Sequence, residues 1–78
     1  MKKAPSSTHV LRKRLAVQVR RRREALGWSQ EVLAERAGTS QVYVSHVESA
    51  KRAVSIDIVE NLGRAFSIDP ELLLKKPE

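Results

Sequence analysis

The apolar residues of this chain recur at intervals of three, four and seven positions, which is the spacing of one face of an α-helix. Leu11, Leu15, Val19 and Leu26 form the first such stripe, and it predicts a helix from about Thr8 to Leu26. Val, Ile and Thr residues are scattered at helical spacing and do not alternate as they do in strands. The pattern therefore predicts an all-α fold.

Residues that favour helix ends divide the rest of the chain into four shorter helices. Gly27 and Gly38 are suited to the left-handed position that closes a helix. Serines suited to N-capping precede the next stripes at Ser29, Ser40 and Ser55. Asp69-Pro70-Glu71 combines an N-cap, a first-turn proline and an acid near the positive end of the helix dipole. It predicts a short fifth helix from Pro70 to about Leu74.

The 78 residues are enough for one domain, which we place at residues 9–75, after a flexible basic arm (1–8) and before a tail (76–78). No apolar run is long enough to cross a membrane, and no apolar segment follows the basic start, so a cytoplasmic location is expected. The absence of cysteine excludes disulfides, and the two histidines are too far apart in the sequence to indicate a metal site. We expect no cofactor, and no set of residues typical of an enzyme is present.

Positive charge is concentrated in the first third of the chain. The net charge is +6, and residues 1–23 carry nine basic residues and no acidic residue. Residues 53–78 carry three basic and five acidic residues. Clustered positive charge favours a polyanionic partner, whereas a solvated basic tail is the alternative interpretation.

Residues 30–49 fit the requirements of a helix-turn-helix, in which two helices cross at a steep angle through a tight turn. Ala34 supplies a small residue at the crossing, and Gly38 tolerates the positive φ of the turn. The apolar residues that would hold the second of these helices are Leu33, Ala37, Val44 and Val47. An ordinary helical hairpin in a bundle is the alternative.

Three segments resemble the phage repressor and Cro-like family: REALGWSQ at 23–30, LAERAGTS at 33–40 and VSHVE at 44–48, followed by Lys51-Arg52. The resemblance covers about residues 11–74. Residues 67–73 also resemble stand-alone members, including the controller proteins of restriction–modification systems. The resemblance implies a five-helix, lambda-repressor-like domain, associated with the nucleoid, that regulates transcription as a repressor or an activator.

In this family the third helix enters the major groove and presents its N-terminal half to base edges. The residues that the resemblance places there as base readers are Gln41, Val42, Ser45 and His46. A glutamine amide can pair with adenine N6 and N7, and a valine can contact a thymine methyl group.

Contacts to the DNA backbone are implied for a second set of residues, which are Gln30, Ser40, Tyr43, Ser49, Lys51 and Arg52. Gln30 begins the second helix, where a helix N-terminus favours a phosphate. For Tyr43, packing against the domain is an equally good interpretation. Many relatives have glycine where this chain has Ala50, so the loop geometry there is an open question.

Arg23 lies on the apolar stripe of the first helix and needs a charged partner, since an unpaired buried charge is costly. By resemblance that partner is Glu48, and the pair is expected to be a structural salt bridge. Trp28 is expected to pack at the corner between the first two helices.

The last third of the chain has more apolar residues than one small core needs, which favours a partner surface. The residues expected at a homodimer interface are Ile58, Leu62, Phe66, Leu72 and Leu73. A two-fold dimer would bind a palindromic operator in double-stranded DNA. Internal packing of the same residues is the alternative.

Two other functions are consistent with parts of the sequence. An antitoxin of the same fold would bind a toxin protein as well as its own operator, and RNA polymerase is a further candidate partner of a regulator. A nonspecific binder of RNA or of a membrane surface would use the basic N-terminal half and would not need the geometry of residues 30–49.

Overall fold

The computed structural model of the protein describes residues 9–78, which fold into helices joined by short loops. The α-helices are α1 (Val10–Ala25), α2 (Gln30–Ala37), α3 (Gln41–Ser49) and α4 (Ile56–Phe66), and a 3-10 helix follows at Pro70–Leu74. The arm predicted at residues 1–8, with the predicted helix start at Thr8, lies outside the described residues.

The predicted count of five α-helices is wrong, because residues 9–78 contain four α-helices and one 3-10 helix. The fifth predicted helix does form over Pro70–Leu74, but with the tighter spacing in which Leu72 N donates to Asp69 O at 2.9 Å. A segment of five residues closes few α-helical hydrogen bonds, so the 3-10 form is competitive at this length.

Serine side chains cap the N-termini of α2, α3 and α4, as the sequence predicts. The hydroxyl oxygens of Ser29, Ser40 and Ser55 each accept a backbone N–H three residues later, at 3.1 Å. Each bond satisfies an amide that has no partner within the helix. The start of every helix after α1 is therefore fixed by a local interaction.

The core forms where α1 packs on α3 and on the 3-10 helix, and where α2 packs on α3 and α4. Its largest fully buried side chains are Leu15, Leu33, Leu62, Leu73, Val19, Val44 and Val47. The two outer leucines of the predicted α1 stripe do not join this core, since Leu11 is 54% exposed and Leu26 is 52% exposed. Leu26 follows the last residue of α1, and Leu11 lies in its first turn, so both are at the ends of the helix.

The side chains that the sequence predicted at a dimer interface lie mostly inside the protomer. Leu62 is 1% exposed and Leu73 is 0% exposed, and Ile58 and Phe66 are also buried. Leu72 is half-buried. This corrects the expectation for the four buried residues, because their apolar area is already removed from water and little remains for a partner.

The segment after the 3-10 helix lies along α1. Gln18 Nε2 donates to the carbonyl oxygen of Lys75 at 3.1 Å, and Arg21 donates to the carbonyl oxygen of Glu78 at 2.9 Å. Within residues 9–78, no helix is long and apolar enough to span a membrane.

Candidate nucleic-acid interface

Helices α2 and α3 meet through a tight turn of three residues. Gly38 adopts φ +69°, and the following Thr39 N donates to Ala34 O at 2.9 Å, which closes the end of α2. Ala34 and Ala37 are both buried, and α2 packs on α3. The small side chains let the two helices approach closely, which is the arrangement that a helix-turn-helix requires.

Helix α3 has a packing face and an open face. Val44, Val47 and Glu48 are buried. On the open face, Gln41 and Val42 are exposed in the first turn, and the remaining two predicted base readers are half-buried: Ser45 and His46. Polar and apolar groups are thus both presented at the N-terminal half of a helix whose other side is fixed in the core.

The predicted ion pair between Arg23 and Glu48 is present and joins α1 to α3. Arg23 Nε lies 2.7 Å from Glu48 Oε2, and a terminal nitrogen of the guanidinium lies 3.0 Å from Oε1. The Glu48 side chain is only 1% exposed. Arg23 also donates to the carbonyl oxygen of Trp28 at 2.8 Å, so the same guanidinium fixes the corner between α1 and α2.

Burial by itself raises the pKa of Glu48, because a carboxylate loses its water. Hydrogen bonds from Arg23 and Gln30 and the charges of Arg23 and Arg20 outweigh this effect, so the pKa is lowered below its ordinary value. The hydrogen bond to Glu48 is in turn the main reason that the pKa of Arg23 is raised. At neutral pH Glu48 is therefore an ionised carboxylate.

Gln30 connects this buried pair to the open face of α3. Its Nε2 donates to Glu48 Oε1 at 3.0 Å, and its Oε1 accepts from Gln41 Nε2 at 2.7 Å. The sequence predicted Gln30 only as a phosphate contact, and its link to Gln41 was missed. The sequence signal that could have predicted this link is the set of polar residues at positions 23, 30, 41 and 48, which lie where three helices cross.

The hydroxyl groups expected at the DNA backbone have partners within the protein. Ser40 accepts the N–H of Tyr43 and can still donate its own proton outward. Ser49 donates to the carbonyl oxygen of His46 at 3.1 Å, so the proton that a phosphate contact needs is used within α3. Lys51 and Arg52 are exposed directly after α3.

Tyr43 is half-buried and packs against the core. Its hydroxyl oxygen accepts the N–H of Ser55 at 3.4 Å, at the start of α4. Of the two interpretations of Tyr43, these contacts support packing against the domain.

Trp28 packs at the corner predicted for it. Its ring stacks on Phe66 with the centroids 5.7 Å apart and the planes within 10°. The guanidinium of Arg36 lies over the same ring, 4.6 Å from a centroid, which is a cation–π distance. Trp28 is therefore held by two contacts within the protein itself.

Ala50 closes α3 in the left-handed conformation, with φ +58°. Its N–H donates to Val47 O at 3.1 Å, and the N–H of Lys51 donates to His46 O at 3.2 Å. The loop after α3 therefore has the left-handed geometry that glycine favours, although this chain has alanine at that position. Among residues 9–78, no group of three or more His, Asp or Glu side chains is placed to hold a metal ion.

A family model described as a helix-turn-helix domain matches residues 14–74. A hypothetical transcription factor of Neisseria meningitidis serogroup B is 35% identical over 68 residues, which are 87% of this chain and 64% of that protein. The chain therefore spans less than two thirds of the length of this curated relative.

Two solved structures of named regulators are also similar. The restriction–modification controller protein C.AhdI from Aeromonas hydrophila has a TM-score of 0.76 and 33% identity, over 86% of this chain and 98% of that chain. The P22 c2 repressor, solved in complex with a synthetic operator, has a TM-score of 0.73 and 28% identity, over 78% of this chain and 92% of that chain.

Proposed function

Because the chain belongs to the helix-turn-helix family of DNA-binding transcription regulators, we propose that it binds a two-fold symmetric operator as a homodimer, with α3 in the major groove. One observation carries the proposal. The first turn of α3 exposes Gln41 and Val42, while the opposite face of the same helix is fixed by buried valines and by Glu48.

The base-reading role falls on the open face of α3. Gln41 supplies an amide that can recognise adenine, and Val42 supplies an apolar surface for a thymine methyl group. Ser45 and His46 lie on the next turn and can donate to a base or a phosphate. The P22 c2 repressor, whose structure is similar, was solved on operator DNA, which supports a DNA contact for the corresponding face of this chain.

Attraction to the phosphates must come from outside the recognition helix, because residues 37–50 contain no Lys or Arg. Lys51 and Arg52 directly follow α3 and are exposed, so they are suited to contact the backbone. Such contacts set affinity and register, and they carry little sequence information.

The dimer contact is proposed at a surface other than the one that the sequence suggested. An apolar groove lies between α1 and the segment entering α4, and it is lined by Leu11, Leu15, Val54, Ile56, Val59 and Leu74. Ile56 is 70% exposed, the highest value among the large apolar side chains of residues 9–78 that stand in solvent. Covering this groove removes apolar area from water, which is the main favourable term in association.

A second copy of the chain suits this groove because side chains of opposite charge lie in it and on the helix beside it. Arg12 lines the groove, and Asp57 and Glu60 are exposed on α4, whose residues Ile56 and Val59 also line it. A two-fold axis that runs along the groove would place the α1 side of one copy against the α4 side of the other. Arg12 of each copy would then approach the helix that carries the acidic side chains of the other copy.

The test is selection of bound sequences from a random pool of DNA duplexes, with Gln41→Ala and the distant Gln18→Ala in parallel. We expect the wild type and Gln18→Ala to enrich the same two-fold symmetric site. Gln41→Ala should lose its preference at one base pair in each half-site. If no consensus emerges, or if Gln41→Ala selects the wild-type site unchanged, the proposed reading of DNA by α3 is wrong.

A further inference from the structure

A shallow pocket lies between the second half of α1 and the segment that follows the 3-10 helix. Four basic side chains line it, from Arg21, Arg22, Lys75 and Lys76, and Glu78 is the one acidic residue among the described residues around it. Three positive charges in the wall of the pocket are therefore left without a counter-charge. Like charges held together repel each other, so this arrangement favours an anion that enters from outside.

Two hydrogen bonds hold the basic residues of the segment beside those of the helix. Gln18 Nε2 donates to the carbonyl oxygen of Lys75, and Arg21 donates to the carbonyl oxygen of Glu78. Both bonds end on backbone oxygens, so they leave the ammonium group of Lys75 uncommitted. The fold thus gathers positive charge from two parts of the chain that are 57 positions apart.

Three of these cations are unpaired. Within residues 9–78, the side chains of Arg22, Lys75 and Lys76 make no ion pair and no hydrogen bond. The Nε of Arg22 is buried and has no acceptor there. A guanidinium does not lose its charge in a protein, and a buried donor without an acceptor is costly. An anion in the pocket would supply the counter-charge that these residues lack.

The pocket lies on the side of α1 away from α3. Arg20 Nε lies 3.5 Å from Glu48 Oε1 of α3. Arg22 is two positions further along α1, which places it about 200° round the helix axis. The proposed contact between α3 and DNA therefore does not account for these charges, and their role does not depend on that contact.

The size and charge of the pocket restrict its ligand. Its volume of about 250 Å³ is below the roughly 300–1,000 Å³ of sites that enclose a drug-sized molecule. A guanidinium can bind two oxygens of a phosphate at once. A carboxylate carries one negative charge, a single phosphate group carries at most two, and two linked phosphates carry about three. The last value equals the excess of positive charge in the wall.

We propose that this pocket binds the diphosphate group of a small phosphorylated molecule. The group lies between Arg22 of α1 and Lys75 and Lys76 of the following segment, so it links the two parts of the fold. The inference stands apart from the proposed function, because neither the pocket nor its charges belong to α2 or α3.

The test is an NMR titration of the isotope-labelled protein with pyrophosphate, and in parallel with orthophosphate, at an ionic strength kept constant with chloride. We expect pyrophosphate to shift the backbone amide signals of residues 18–22 and 72–76 until they saturate. Its affinity should exceed that of orthophosphate by about 10-fold or more, because the second phosphate reaches further cations. Equal affinities for the two anions would exclude a diphosphate site.

Lys75→Gln and Arg22→Gln each remove one unpaired charge from the pocket. Arg64→Gln is the matched control, because it removes an exposed charge of α4 that lies outside the pocket. We expect each pocket variant to weaken pyrophosphate binding by about 10-fold and the control to bind like the wild type. Lys75 is exposed, so Lys75→Gln keeps the test decisive even where Arg22→Gln disturbs packing beside Phe66.

Three results would overturn the inference. Equal weakening by Arg64→Gln would mean that only the net charge of the protein matters. Shifts confined to Lys51, Arg52 and the start of α2 would place pyrophosphate at the positions proposed for DNA phosphates. Lys75→Gln should also enrich the same DNA sequence as the wild type from the random duplex pool, and a loss of that enrichment would make the pocket part of the DNA contact.

Discussion

Gly63 lies so close to Pro70 that a Cβ added to the glycine would be 2.9 Å from both the Cα and the Cβ of the proline. An alanine inside a helix is ordinarily more stable than glycine by about 1 kcal/mol. Here the overlap opposes that gain, since forcing an extra methyl group into a packed site costs about 1–3 kcal/mol. We therefore expect Gly63→Ala to lower the free energy of unfolding in urea.

The control for this prediction is Glu60→Ala, an exposed position in the same helix. Its effect should stay within about 0.5 kcal/mol of the wild type. A Gly63→Ala variant that is more stable than the wild type would show that α4 and the 3-10 helix separate easily.

Ala50→Gly should stabilise the protein. Ala50 has φ +58°, a conformation that costs a residue with a Cβ about 1–2 kcal/mol and costs glycine little. Glycine also loses more chain entropy on folding, so we expect a net gain of about 0.5–1 kcal/mol in the free energy of unfolding. The measurement is urea unfolding, with Ala53→Gly as the control in the same loop. Equal effects of the two substitutions would contradict the proposed strain at Ala50.

Acid should destabilise the wild type partly through Glu48. The pKa of this carboxyl is below its ordinary value of about 4.5 in the folded protein. Its contribution to stability is therefore present above that value and is lost as the pH falls through the folded-state pKa. We expect Glu48→Gln to be less stable at neutral pH and to lose less of its remaining stability between pH 5 and acidic conditions, about pH 2.

The pH dependence is measured by urea unfolding at a series of pH values. Glu35→Gln, which replaces an exposed carboxylate, should keep the acid dependence of the wild type. Parallel curves for the wild type and Glu48→Gln would mean that the buried pair does not contribute to acid unfolding.

Ile56→Glu should prevent dimer formation and leave the fold intact. Ile56 contributes to the apolar groove and is mostly exposed, so a charge there costs the protomer little. Buried against a second copy, the same charge would be unpaired and costly. Sedimentation should show a dimer for the wild type and a monomer for the variant. Leu26→Glu, an exposed leucine at the other end of α1, should remain dimeric, and dimerisation of Ile56→Glu would place the interface elsewhere.

The helix starts could be predicted because each depends on a local hydrogen bond. Ser29, Ser40 and Ser55 cap the helices that the sequence assigned to them, and Asp69 caps the 3-10 helix through the N–H of Glu71. Local spacing also places the buried Val44 and Val47 on one side of α3. These features need no knowledge of how distant parts of the chain meet.

The features that the sequence left undetermined depend on tertiary packing. The apolar residues of α4 and the 3-10 helix suggest a partner surface until the fold shows that Leu62 and Leu73 fill the core. The bond between Gln30 and Gln41 joins residues eleven apart on two helices, and it depends on how those helices pack against each other. The need for a partner to Arg23 could be predicted from the sequence, because a charge on an apolar stripe demands one, and the family resemblance identified that partner as Glu48.

Under the proposed function, the two faces of α3 separate the residues that recognise DNA from the residues that keep the domain folded. Val44 and Val47 belong to the core, whereas Val42 belongs to none of its buried clusters. If α3 reads DNA as we propose, a substitution at position 42 alters operator choice while the core contacts of α3 stay as they are. Duplicated copies of such a gene could diverge towards separate sets of targets through a single codon, without first acquiring a compensating change in the interior.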